Sequence, residues 1–148
     1  MCTTRHHYTP APGSISHGTL RTEDLLNEFC SVLDAILVDR RHADHRALLQ
    51  EAEAADPESG HAADLVDELQ DALDHWAPEY CRFGAHEGDG ADFGFWPVME
   101  RIEELPQFDN YDPPSDFVGD FRVVTDHGNV TVRRRFGNRR EKTILAIV

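Results

Sequence analysis

The chain has 148 residues, enough for one compact domain, and its 28 acidic and 14 basic residues give a formal net charge of −14. A body this acidic should repel nucleic acid unless the basic end of the chain makes the contact, so we expect no direct nucleic-acid binding and an attraction to basic protein surfaces instead. No apolar run approaches the roughly 18 residues that span a bilayer, so we predict no membrane spans. The polar start of the chain lacks the apolar segment of a secretory signal, so we predict a cytoplasmic protein.

The N-terminal half is predicted to be helical after a flexible arm over residues 1–20. Apolar residues recur at spacings of three and four over residues 22–40, which is typical of an amphipathic helix. Two further helices are predicted at about 44–55 and 60–76, separated by the chain-breaking sequence Asp56-Pro57-Glu58-Ser59-Gly60.

The pattern changes to short strands after the third helix. Two strands are predicted at about 80–83 and 92–96, around a glycine-rich loop at 84–91. A short helix at 97–105 and a surface loop at 106–116 follow. Three more strands are predicted at 117–125, 130–136 and 143–148. This order predicts a single α+β domain over residues 21–148, with about three N-terminal helices packed on a C-terminal antiparallel β-sheet. Because the last strand is apolar on both faces, we expect it to be central or covered by helices.

Acidic residues recur along one side of the third helix, opposite its apolar side. They are Asp64, Asp67, Glu68, Asp71 and Asp74. Neighbours at spacings of three and four lie about 5–6 Å apart, while each DNA strand carries a phosphate about every 3.4 Å along its axis. A rigid row of carboxylates could therefore occupy a groove built for nucleic acid, although most charged helix faces are simply solvated.

A second unusual segment is the glycine-rich stretch FGAHEGDGADFGFW over residues 83–96. Its candidate functional side chains are His86, Glu87, Asp89, Asp92 and Trp96. Short acidic loops with glycine can bind hard cations such as Ca²⁺, and an imidazole could do acid–base work with Asp126 and His127 if the two turns met. The same residue types also serve ordinary hairpin turns, because Asp and Gly favour turn conformations.

Positive charge is concentrated near the C-terminus. Six cations lie there within ten residues: Arg133, Arg134, Arg135, Arg139, Arg140 and Lys142. They indicate pairing with the protein's own acids or with an acidic partner, and only weakly a nucleic-acid site. Elsewhere, His42 and His45 are interpreted as a solvated helix start, because three neighbouring arginines would oppose a bound cation.

The stretch over residues 83–96, together with the turn sequence Asp126-His127-Gly128-Asn129-Val130, resembles a group of small proteins from phages, prophages and plasmids. Members share a sequence motif close to FGAHxGDGADFGFW, a short helix, an HGN-type turn and a final strand. The resemblance covers about residues 78–148. Glu87 stands where many relatives have proline, and the arginine run is atypical. The resemblance implies a mobile-element setting, with roles in host takeover, counter-defence or genome maintenance.

Together these patterns predict a non-enzymatic binding protein that uses no cofactor or metal and blocks a basic, nucleic-acid-binding surface of a host protein in the host cytosol. The mobile-element setting favours a defence complex as that partner, which would make the chain a DNA mimic of the anti-CRISPR or anti-restriction kind. The alternative is a small metal-binding or hydrolytic domain built on residues 86–92. A third hypothesis is an immunity or toxin-neutralising protein, whose acidic surface again binds a basic partner.

Overall fold

The computed structural model describes residues 8–108 and 112–147 and divides the chain into two compact units, one ending at Trp96 and one beginning at Pro97. The α+β class is confirmed, because helices precede a C-terminal antiparallel β-sheet. The region predicted as one domain, residues 21–148, is thus shared between two units. No helix among the described residues is long and apolar enough to cross a membrane.

Three helices dominate the first unit: α1 (Thr22–Leu37), α2 (Ala43–Ala54) and α3 (Gly60–His75). They begin and end within three residues of the predicted bounds, because apolar periodicity and chain breakers mark helices well. The α3 helix begins where the Ser59 hydroxyl accepts a hydrogen bond from the Ala62 N–H at 3.1 Å. The α1 helix ends three residues early, where the Arg46 guanidinium donates to the Leu37 carbonyl.

The first unit also contains a three-stranded sheet. Its strands are β1 (Gly13–Ser16), β2 (Cys81–His86) and β3 (Asp89–Pro97), in the order β1-β3-β2. The β1 strand lies within the predicted flexible arm, and it pairs antiparallel with β3 through a register that includes Ser14 opposite Gly94. The predicted loop over residues 84–91 is mostly strand, since only Glu87 and Gly88 separate β2 from β3.

The core of the first unit joins the helices to this sheet. Phe29 of α1 is fully buried, and its ring centroid lies 5.2 Å from that of Phe83 and 5.5 Å from that of Phe93. Phe95 adds a third aromatic ring from the sheet, 5.0 Å from Phe83. The aromatic residues of the glycine-rich stretch thus form one wall of the helical core, and its polar residues remain outside.

The second unit contains the short helix α4 (Met99–Glu103) and the strands β4 (Gly119–Val124), β5 (Val130–Arg135) and β6 (Glu141–Ile147). The strands form an antiparallel sheet in the order β4-β5-β6. Of the two alternatives expected for the last strand, central or covered by helices, the first is wrong: β6 is an edge strand of this sheet, with a register shift between Val132 and Arg133 of β5. The apolar pattern of a segment shows how apolar the strand is. It does not show the position of that strand in the sheet, because the strand order depends on which turns close hairpins.

Candidate functional site

The acidic residues of α3 lie together on its exposed face. At 100° and 1.5 Å per residue, they fall within an arc of about 120° and a length of about 15 Å. All five side chains are exposed, and we call them the acidic stripe: Asp64, Asp67, Glu68, Asp71 and Asp74. The opposite face of α3 is buried through Ala62, Leu65, Val66, Leu69, Ala72 and Leu73. The burial of that face prevents the helix from rotating, so the stripe is held towards solvent.

Four members of the acidic stripe have no hydrogen bond or ion pair with any described residue. The exception is Asp74, whose carboxylate accepts a hydrogen bond from the Phe83 N–H of β2 at 2.8 Å. Asp74 therefore has a structural role at the sheet as well as a place in the stripe. The other four carboxylates are exposed at the surface, without a partner in the described part of the chain.

Two basic residues of the first unit, Arg40 and Arg46, are engaged at the end of α1. Arg40 donates to the carbonyls of Ile36 and Tyr8, and Arg46 donates to the carbonyl of Leu37 at 2.6 Å. These guanidiniums satisfy the last turn of α1, whose carbonyls have no helical partner. With 19 acidic and six basic residues in the chain up to Trp96, this unit carries a formal charge of −13. Nearly all of the net charge of the protein thus belongs to the unit that carries the stripe.

Half of the C-terminal cation cluster pairs with carboxylates of its own sheet. The Arg134 guanidinium makes two hydrogen bonds to Asp120, at 2.6 and 2.9 Å. Arg133 and Arg135 share Glu141, at 2.7 and 2.5 Å. Pairing with the protein's own acids is therefore observed for three of the six cations, and their partners lie in the second unit.

The polar residues of the glycine-rich stretch shape a hairpin. His86 Nδ1 accepts from the Gly88 N–H at 2.9 Å, and the Asp89 carboxylate accepts from the Ala91 N–H at 3.0 Å. The Asp92 carboxylate accepts from the Ser14 hydroxyl of β1. Each of these groups stabilises a turn or a strand pair, which is the ordinary role of such residues at hairpins.

The remaining members of this motif also have local roles. Trp96 donates from Nε1 to the Gly84 carbonyl at 2.9 Å, and its ring packs edge-on against His86 with centroids 4.8 Å apart. Glu87 is exposed in the turn. Over the described ranges, no three His, Cys, Asp or Glu residues are grouped so that they could hold a metal ion. His127, considered as a partner for this loop, belongs to the second unit, in the turn before β5.

The structure reveals one polar cluster that the sequence analysis missed. The imidazoles of His42 and His45 are stacked, with centroids 3.7 Å apart, and the ring of His75 lies about 5 Å from both. The Trp76 N–H donates to His45 Nδ1 at 2.9 Å, and Arg40 lies over the Trp76 ring. His42 and His45 are thus a packed junction of α2 and α3 and not a solvated helix start.

The hydrogen bonds of this junction require neutral imidazoles. His42 is the N-cap of α2, and its Nδ1 accepts from the His45 N–H at 3.2 Å. His45 Nδ1 accepts from the Trp76 side chain. Burial first, and then the neighbouring imidazoles of His42 and His75, lower the pKa of His45, against the opposing effect of Asp44. A proton on His45 Nδ1 would turn an acceptor into a donor and break its bond with Trp76.

Acidification should therefore destabilise the first unit. A histidine whose folded-state pKa lies below its unfolded value of about 6.5 contributes stability above pH 6.5, and that contribution is lost as the pH falls below it. We expect a loss on the order of 1 kcal/mol between pH 7.5 and 5, about that of the one hydrogen bond that His45 accepts from Trp76. Urea unfolding followed by tryptophan fluorescence measures it, since both tryptophans lie in this unit.

The control for this prediction is the double variant H42N/H45Q. Asparagine retains a capping oxygen for α2 and glutamine retains an acceptor for Trp76, but neither side chain titrates. The difference in unfolding free energy between the two pH values should shrink by at least half. An undiminished difference in H42N/H45Q would assign the acid sensitivity to other groups.

The two described cysteines lie in the interior of the first unit. Burial, with the nearby carboxylates of Glu53 and Asp34, raises the pKa of Cys30 to about 11, and burial raises the pKa of Cys81. Both thiols are therefore protonated at neutral pH, which makes them poor nucleophiles.

No protein-family model, no curated protein and no solved structure matches this chain. The resemblance to mobile-element proteins accordingly stays a prediction from the motifs at residues 83–96 and 126–130. The charge distribution and the geometry of the first unit are the independent basis for a functional argument.

Proposed function

We propose that this protein is a binding inhibitor whose acidic stripe occupies a basic, nucleic-acid-binding surface of a host protein. The mobile-element resemblance favours a defence complex as the target, so that the protein acts in counter-defence as a DNA mimic. The stripe takes the place of a run of backbone phosphates on the target surface.

The observation that carries this proposal is the unpaired state of the stripe. Four of its five carboxylates have no partner among the described residues, although the same unit contains several arginines. Surface acids commonly form local ion pairs that lower their effective charge. A row left unpaired on one helix face projects a negative field outward, and such fields accelerate association with complementary basic surfaces.

The rigidity of the helix supports the same interpretation. A decoy binds well only if its charges are already arranged, because ordering flexible side chains and backbone opposes binding. The buried apolar face of α3 and the Ser59 cap fix the helix, and the Asp74 bond ties its end to β2. The carboxylates are therefore presented on a backbone that does not need to fold upon binding.

The test is a capture experiment with competition by DNA. The immobilised protein is incubated with nuclease-treated host lysate in 0.1 M salt, and captured proteins are challenged with excess duplex oligonucleotide. We expect capture of nucleic-acid-binding proteins that the duplex displaces, because decoy and DNA use the same surface. Raising the salt to 1 M shortens the screening length from about 10 Å to about 3 Å and should release them.

Charge reversal at the stripe supplies the decisive variant. D64K/D67K/D71K reverses three unpaired carboxylates and should reduce capture at least tenfold while circular dichroism and the melting temperature stay close to wild type. The matched control is E53K/E58K/E87K, which makes the same change of net charge in the same unit at exposed acids outside the stripe. Equal capture by both triple variants, or captured proteins that the duplex does not displace, would contradict the mimicry proposal.

A further inference from the structure

The cation cluster of the second unit has two halves with different surroundings. Arg133, Arg134 and Arg135 lie in β5 and are paired with carboxylates of the same sheet. The other half lies at the β5–β6 turn and the start of β6, and consists of Arg139, Arg140 and Lys142. These three side chains are exposed, and none has an ion pair or side-chain hydrogen bond with a residue that the structure describes.

The one carboxylate within this hairpin does not neutralise its tip. Glu141 is bound by Arg133 at 2.7 Å and by Arg135 at 2.5 Å, and its side chain is mostly buried. Its charge is therefore engaged beneath the turn by two other guanidiniums. The tip is left with a local charge of about +3 in a protein whose net charge is strongly negative.

The turn that carries these cations is well defined. The Phe136 N–H donates to the Arg140 carbonyl at 2.8 Å, and the Arg139 N–H donates to the Phe136 carbonyl at 3.0 Å. The Asn138 side chain accepts from the Arg140 N–H at 3.1 Å, and Arg139 adopts a left-handed conformation with φ of 64°. Three hydrogen bonds within five residues define the backbone from which the three cationic side chains project.

An exposed aromatic ring accompanies the cations. Phe136 is 44 % exposed, although the five phenylalanines at the centres of the two units (Phe29, Phe83, Phe93, Phe95 and Phe121) are buried. Several other large apolar side chains are also exposed, and Phe136 differs from them by its place in the cationic turn. Aromatic faces stack on nucleobases, and adjacent cations hold the phosphates.

We propose that the β5–β6 turn is a binding site for single-stranded nucleic acid. Arg139, Arg140 and Lys142 contact backbone phosphates, and Phe136 stacks on a base. The site is small and recognises the polymer without sequence preference, since it offers cations and one ring and no arrangement of donors and acceptors for base edges. This proposal departs from the expectation of no direct nucleic-acid binding, which rested on the net charge of the whole chain. Nearly all of that charge belongs to the first unit, whereas the turn lies in the second. The inference is independent of the proposed function, because it concerns the second unit and a different ligand.

Fluorescence anisotropy with the full chain tests it. The probe is a labelled 12-residue oligo(dT), titrated at 25–150 mM salt, with the duplex of the same length as a second probe. We expect Kd values on the order of 10⁻⁴–10⁻⁶ M, weaker binding of the duplex, and a slope of log Kd against log salt of about 2, since three phosphate contacts each contribute about 0.7 for single strands.

Two variants separate the contributions of charge and stacking. R139A/R140A/K142A should abolish measurable binding, and its matched control R21A/R41A/R101A removes three exposed cations elsewhere and should bind like wild type. F136L keeps an apolar side chain of similar size but cannot stack, and should bind at least about fivefold more weakly.

Three outcomes would overturn the proposal: no anisotropy change at 25 mM salt, an equal loss in R21A/R41A/R101A, or wild-type affinity in F136L. Circular dichroism of each variant shows whether the sheet is retained. The test uses no host protein, so its outcome is separate from that of the capture experiment on the acidic stripe.

Discussion

Replacement of Gly94 by alanine should destabilise the first unit by about 3 kcal/mol, since overpacking a tight contact costs 1–3 kcal/mol and more where backbone must move. A Cβ at this position would lie 2.2 Å from the Gly13 carbonyl oxygen and 2.8 Å from the Cα of Ser14. Both are backbone atoms, so no side-chain rotation relieves the clash. The β1 strand must shift away from β3, which breaks their hydrogen bonds. Urea unfolding followed by tryptophan fluorescence measures the loss.

Gly90 supplies the matched control, because it lies in the same strand and a Cβ there would meet no atom within 4 Å. Gly90→Ala should be neutral, or stabilising by about 0.5–1 kcal/mol through the lower entropy of the unfolded chain. Hydrogen exchange at residues 13–16 distinguishes detachment of β1 from general unfolding. Equal stabilities for the two variants would mean that β1 does not approach β3 as closely as described.

Loss of Glu141 should have the largest effect on the second unit. Glu141→Ala leaves the guanidiniums of Arg133 and Arg135 without their shared carboxylate, and the side chain of Arg135 is only 9 % exposed. Removal of one partner from a buried ion pair costs about 3–5 kcal/mol. We expect about 2–3 kcal/mol here, because Arg133 is partly exposed. Hydrogen exchange of the β5 and β6 amides measures the effect.

The contrast with Asp112 tests whether burial is the cause. Asp112 also pairs with Arg135, at 3.0 Å, but its side chain is 79 % exposed. Exposed ion pairs contribute about 0–1 kcal/mol, so Asp112→Ala should change amide protection of β5 and β6 little. Comparable losses from Glu141→Ala and Asp112→Ala would contradict the role given to the buried carboxylate.

The helices could be predicted from the sequence because their determinants are local. Apolar spacing and the breaker at residues 56–60 placed α1, α2 and α3 within three residues. The β1 strand could not be predicted, because Gly13–Ser16 has no apolar alternation and is held by Gly94 and Asp92, nearly 80 residues away. The edge position of β6 likewise depends on pairing order, which no single segment encodes.

The candidate site shows the same division between local and distant information. The acidic stripe is a property of one helix, so helical spacing alone predicted its single exposed face. The junction of His42, His45 and Trp76 depends on the approach of α2 to the end of α3. The sequence of neither helix alone predicts this contact. The sequence predicted a cation cluster, but only the sheet register reveals that Glu141 engages Arg133 and Arg135 while the turn stays unpaired.

The bond between Asp74 and Phe83 has a further consequence, for solubility. The β2 strand is at the edge of its sheet, and an edge N–H without a partner is a place where a strand of another molecule can add. The Asp74 carboxylate occupies the Phe83 N–H and places a negative charge beside it. The same residue that ends the acidic stripe thus removes one donor to which a strand of another molecule could add.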